Sequence, residues 1–95
     1  MSQPAATAPA AVWRRVPGWV FRVLPGHVMM ARTGGEHRTV TGRASVVWTA
    51  LDLPGSTDEV WERILEALPE VGIELDEVEE AIDVLVDAGV VEQAR

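Results

Sequence analysis

The side chains able to do chemistry in this chain are few: two histidines, a serine inside a helix-forming run, and fifteen carboxylates. His27 and His37 fall on neighbouring strand-like segments, toward opposite ends of the hairpin these would form, and neither has a second ligand at metal-binding spacing. No metal site is expected. Ser45 has no histidine close by in sequence to serve as its base, so a nucleophile is not expected either. The carboxylates gather at helix starts and on helix surfaces, where capping and solvation account for them without general acid–base chemistry. The absence of cysteine removes thiol catalysis, disulfides and Cys-ligated zinc. All eight basic residues are arginine, so no lysine serves a Schiff base or a phosphate loop. Gly34-Gly35 also lacks the spacing and following helix of a phosphate-binding turn. No catalytic residue and no cofactor is expected, which leaves binding.

Charge narrows the partner. Up to Leu51 there are six arginines against one acid, Glu36, a balance of +5; from Asp52 onward fourteen acids face Arg63 and Arg95, a balance of −12. A helix pair that follows a small sheet can present a recognition helix to DNA, but here that helix carries Glu77, Glu79, Glu80, Asp83 and Asp87 and no base. Phosphate repulsion excludes nucleic acid. No apolar run is long enough to span a bilayer, and the N-terminal stretch has no basic start, so no membrane association and a cytoplasmic location are expected.

The elements that position any site follow from pattern. Residues 1–12 are Ala/Pro-rich and read as a disordered tail, leaving 13–95 as one small domain. Trp13 to Gly18 reads as a lead-in. Trp19–Leu24, His27–Arg32 and Glu36–Val40 are rich in β-branched or alternating residues, with Pro25-Gly26 and Gly34-Gly35 as turns, and predict three antiparallel strands. A two-residue Gly34-Gly35 loop sets Arg38 opposite Ala31 and Val40 opposite Met29, with Val40 inward. The third strand is short and polar, as free edges are.

The stretch Thr41 to Leu51 joins the two halves: Val47, Trp48 and Leu51 recur at helical spacing, with Thr41 as N-cap. Ser56 and Glu59 form a capping box for a second helix whose stripe is Val60, Trp61, Ile64, Leu65 and Leu68. A further box at Asp76–Glu79 opens a third helix to Ala88, with a stripe of Val78, Ala81, Ile82 and Leu85 and Gly89 at C′. Val90-Val91 leaves as an extended tail. The class is α+β, a three-stranded antiparallel sheet packed on three α-helices, with a winged helix-turn-helix-like arrangement as the simplest packing.

The run VLPGHVMMARTGGEHRTVTGRASVVWTALDLPGSTDEVWERILEAL, followed by LDEVEEAIDVLVDAGVVE, resembles the PqqD family. These are small chaperones of pyrroloquinoline quinone biosynthesis and, more widely, RiPP recognition elements of ribosomally made, modified peptides. The resemblance spans about Trp19 to Glu92. Its parts are the hairpin, the helix start ending in Val47-Trp48, the Ser/Thr-Asp-Glu helix start and the final DVLVDAGVVE.

The resemblance implies a non-catalytic natural-product-biosynthesis protein. It would bind the leader segment of a precursor peptide as an added strand, between its third strand and third helix, and present it to a modifying enzyme such as a radical SAM protein. Carried over by position, the strand supplies Glu36, His37, Arg38, Thr39, Val40 and Thr41. From the helix, Val84 or Val86 lines the groove, and Asp83 and Asp87 stand ready for basic leader residues. Many members have an aromatic residue where Arg38 stands and an asparagine where Thr41 stands. The alternative is a small regulatory or structural subunit that contacts a basic protein through its acidic helices.

Overall fold

The computed structural model describes residues 10–94. In chain order they form β1 (Val12–Arg15), β2 (Val20–Leu24), β3 (His27–Arg32), β4 (Glu36–Thr41), α1 (Gly42–Ala50), β5 (Gly55–Ser56), α2 (Thr57–Ala67), a short 3-10 turn (Pro69–Val71), α3 (Leu75–Asp87) and β6 (Val91–Gln93). The first nine positions of the expected tail lie outside the described residues, and β1 begins at Val12. No helix among the described residues is long and apolar enough to cross a membrane.

The domain is α+β, but two three-stranded antiparallel sheets stand where one was expected. The first is the hairpin sheet β2-β3-β4. The second, ordered β5-β1-β6, recruits the lead-in around Trp13 and the tail after Val90, so neither is an unpaired segment. Arg14 lies opposite Glu92 and pairs with it at 2.6 Å. These strands are two to four residues long and lack apolar alternation, so only their mutual pairing defines them.

The hairpin register also differs from expectation by one residue. Thr33 joins the turn: the Gly35 N–H donates to the Arg32 carbonyl at 3.1 Å, and Gly34 and Gly35 both adopt positive φ, 104° and 86°. Arg38 therefore lies opposite Met30, and Val40 opposite Val28. Directly opposed residues share a sheet face, and Val28, Met30 and Val40 are all buried, whereas Met29 faces outward. The expected pairing of Val40 with Met29 would have set an inward side chain across from an outward one.

Helix α1 lies at the centre. Val47, Trp48 and Leu51 are at most 2 % exposed. Thr41 occupies the N-cap position in extended conformation, though its side chain makes no capping bond. The Arg15 guanidinium, from β1, stacks 3.9 Å from the Trp48 ring centre and donates to the carbonyls of Trp48 and Thr49. Phe21 of β2 meets Trp48 edge-on at 4.5 Å. One indole thus contacts both sheets.

Helix α2 begins with the expected Ser56–Glu59 box, both bonds being present. Val60 and Ile64 are buried and Trp61 is half-buried, donating to the Ile73 carbonyl at 3.0 Å. Leu65 and Leu68 are exposed instead of completing the stripe: one sits on the flank beside Ile64, the other at the C-cap past the last turn. Helix α3 starts at Leu75, one residue before the expected position. Its first turn is closed by Glu77, whose carboxylate accepts the Glu74 N–H at 2.8 Å, in place of a box opening at Asp76. At its other end Gly89 has φ 77° and donates to the Val86 carbonyl, while Val90 donates to that of Leu85. This paired closure turns the chain into β6 and buries Val90.

The Trp48 Nε1 is buried without a hydrogen-bond partner among the described residues. Trp48→Ala is expected to cost about 3–5 kcal/mol, as for other large-to-small changes in a packed core. Trp48→Phe should cost clearly less, because it also removes the unpaired donor. Urea unfolding midpoints of the two variants check this ordering.

Candidate functional site

The expected site depends on whether the third strand of the hairpin sheet has a free edge. β4 pairs with β3 on one side and with no other described strand. Which backbone groups point outward follows from one bond beyond the ladder: the Gly42 N–H donates to the Gly26 carbonyl at 3.3 Å. Inward- and outward-pointing residues alternate along an antiparallel strand. Val40 and Arg38 therefore exchange backbone bonds with β3, while His37, Thr39 and Thr41 turn theirs to the open edge. All three are exposed. Their side chains lie on the solvent face of the sheet, and those of Arg38 and Val40 on the core face.

Two arginines connect β4 and the start of α1 to opposite ends of helix α3. At the C-terminal end of α3, Arg38 Nε donates to the Ala88 carbonyl at 3.0 Å. Near the N-terminal end, Arg43 from the first turn of α1 pairs with Glu77 at 2.7 Å. Glu77, Ala81, Val84 and Ala88 recur at helical spacing, so both ties face one flank of α3 toward β4 and the start of α1. Val84 lies on that flank and is 57 % exposed. Val86 is two residues, roughly 200°, further round the helix and belongs to the far side of the core stripe. Of the two valines, Val84 is the one that shares a flank with both ties.

Asp83 and Asp87 point away from the core, with Asp87 nearer the β4 side and Asp83 farther from it. Four residues of these contacts were not among the site residues expected from sequence: Arg43, Glu77, Ala81 and Ala88. Their signal was the i, i+4, i+7, i+11 spacing with Val84, which acquires a direction only once β4 is placed.

Arg38 is the most constrained side chain of the edge. Besides the Ala88 carbonyl, it donates through an Nη to the outward-turned carbonyl of His37 at 2.8 Å and lies over the Trp19 ring at 5.6 Å. Trp19 in turn donates to the Gly89 carbonyl at 3.3 Å and carries Arg32 on its ring at 4.6 Å. The two guanidinium groups share one carboxylate unequally. Glu36 is 2.5 Å from Arg32 but 3.4 Å from Arg38.

Two concavities lie elsewhere. One of about 980 Å³ lies between α1 and the C-terminal half of α2, lined by Val23, Val46, Ala50, Leu53, Leu68 and Val71 among others, and includes nothing from β4 or α3. The other, about 270 Å³, is a depression on the hairpin sheet that reaches His37, Arg38 and Thr39.

No family model, no curated protein and no solved structure matches the chain. Any function therefore has to be argued from the edge and its surroundings.

The bond from Arg32, reinforced by both guanidinium charges, holds the Glu36 carboxyl below the usual range for glutamate. A carboxyl whose folded value lies below its unfolded value stabilises the fold at neutral pH and loses that contribution as pH falls through the folded value. In a carbon-detected NMR titration, Glu36 should titrate below the ordinary range for glutamate. Arg32→Gln should move its midpoint back up.

Proposed function

We propose that the chain is a PqqD-like chaperone of winged-helix-like fold that binds the leader segment of a precursor peptide and presents it to a modifying enzyme, such as a radical SAM protein, without itself catalysing a reaction. The observation that carries this reading is the open edge of β4. Outward-turned backbone groups at Thr39 and Thr41 are joined, through Arg38, to a helix flank whose exposed residue is the apolar Val84. An extended peptide added there gains main-chain hydrogen bonds from the strand and side-chain contacts from the helix, which are the two ingredients of recognition by strand addition.

The arrangement also explains how the peptide would be accommodated without rebuilding the domain. The sheet is already formed and the helix already tied to its edge, so the order falls on the peptide. The order of elements, a three-stranded hairpin sheet followed by three helices, is the one the family resemblance implies. In this frame Glu36 to Thr41 supply the edge, Val84 the apolar contact, and Asp87 a charge for basic leader residues. Val86, on the far flank, takes no part.

The test is a titration of the protein with leader segments of precursor peptides encoded beside it, followed by backbone amide NMR. Shifts clustered on residues 36–41 and 77–88, with low-micromolar or tighter binding (roughly −8 kcal/mol), are expected. Silence with every such leader overturns the reading. Shifts confined to α2 and the solvent face of α3 with a basic protein, and lost on adding salt, would favour the regulatory-subunit alternative, since exposed charge contacts are screened.

Thr39→Pro sharpens the test. The Thr39 N–H points to the edge and not into the β3–β4 ladder, so proline removes an edge donor and crowds the incoming strand while sparing the sheet's own pairing. The variant is expected to keep its circular dichroism spectrum and to bind leader about tenfold more weakly or worse. Undiminished binding by a folded Thr39→Pro protein would exclude β4 as the site.

A further inference from the structure

We propose that Arg38 makes the β4 edge selective for peptides bearing a carboxylate, placed two residues from an apolar side chain that rests on Val84. This rests on the strand-addition reading above and specifies the peptide it would accept.

Three observations lead to it. Arg38 is held at three points, by the Ala88 carbonyl, the His37 carbonyl and the face of Trp19, so its guanidinium is already oriented at the end of the cleft. Its charge is poorly matched: the one described acid within 4 Å of it, Glu36, is engaged by Arg32 at 2.5–2.6 Å and reaches Arg38 only at 3.4 Å. Its side chain is 38 % exposed, and each Nη keeps one N–H beyond the bonds to the His37 carbonyl and the Glu36 carboxylate. A fixed guanidinium with a spare N–H on each Nη suits a carboxylate, whose two oxygens can each accept a charge-assisted bond. An incoming carboxylate would supply the second negative charge that two guanidinium groups now lack.

Geometry sets the spacing. Val84 and Ala88 are separated by one helical turn, about 6 Å. Two residues of an extended chain cover about 6.8 Å and return to the same face. An apolar residue over Val84 therefore places the side chain two positions along beside Ala88, where Arg38 is fixed. The bond from Arg38 to the His37 carbonyl already occupies the edge at that point, so full backbone pairing is left to Thr39 and Thr41, and the carboxylate marks the end of the paired segment.

The experiment uses the full chain and a displayed library of random twelve-residue peptides, because the selected peptides themselves serve as probes. Binders that shift residues 37–41 and 81–88 by NMR are expected to share an apolar residue and an Asp or Glu two positions apart. Changing that acid to its amide should weaken binding at least tenfold to the unaltered protein and much less to Arg38→Gln. Arg38→Lys should recover only part of the acid preference, since it keeps the charge and loses the fork. The amide change is made in the peptide, so a destabilised Arg38 variant does not decide the outcome. Binders on β4 that tolerate the amide, or lose equally with and without Arg38, overturn the inference and leave strand addition standing. A library that yields no β4 binder, or only binders elsewhere, overturns both.

Discussion

The burial of one indole governs this fold. Trp48 is the largest fully buried side chain among the described residues, and its ring is covered by a charged group from one sheet and an aromatic from the other. Arg15 is well suited to the task, since its guanidinium stacks flat on the ring while its N–H groups reach the last carbonyls of α1. Those carbonyls carry the negative end of the helix dipole, so the same cation both covers the core and closes the helix. Partial burial lowers the pKa of this guanidinium, and the charge of Asp52 works against that shift. Arg15 and the half-buried Trp13 together hold β1 against the core, and among the described strands β5 and β6 pair only with β1.

A second helix end shapes the candidate site. The closure at Gly89 uses the carbonyls of Leu85 and Val86, so those of Ala88 and Gly89 remain available. Arg38 and Trp19 take them, one each. The hairpin sheet is thereby anchored to α3 at its C-terminal end, while Arg43 ties the start of α1 to Glu77 near the other. The anchoring of the sheet follows from how one helix terminates.

Much of this was legible in the sequence. The β-branched runs of β2 and β3, the helical recurrence of Val47, Trp48 and Leu51, the Ser56–Glu59 box and the glycine at position 89 are local signals, and each element they mark is present. The free edge of β4 was legible too, from its polarity. What escaped was non-local. Trp13 pairs with Gln93 across nearly the whole chain, and four- and three-residue strands leave no periodicity to detect. The hairpin register escaped because two adjacent glycines suit loops of two or three residues alike, and burial of Val28 against Val40 decides between them. Val84 and Val86 flank the same stripe symmetrically until Arg38 and Arg43 give the helix a direction. The unfulfilled part of the α2 stripe, Leu65 and Leu68, reflects a helix that ends before its last apolar residue.

The distance between the two arginine ties has a thermodynamic meaning. Glu77 and Ala88 are eleven residues apart on a helix, about 16 Å, which an extended chain covers in about five residues. Ordering five residues costs on the order of 5–10 kcal/mol in backbone entropy. Each backbone bond returns a net of only about 0.5–1.5 kcal/mol. On the reading proposed above, a segment held there would draw its surplus from one or two side chains and not from the length of its backbone pairing.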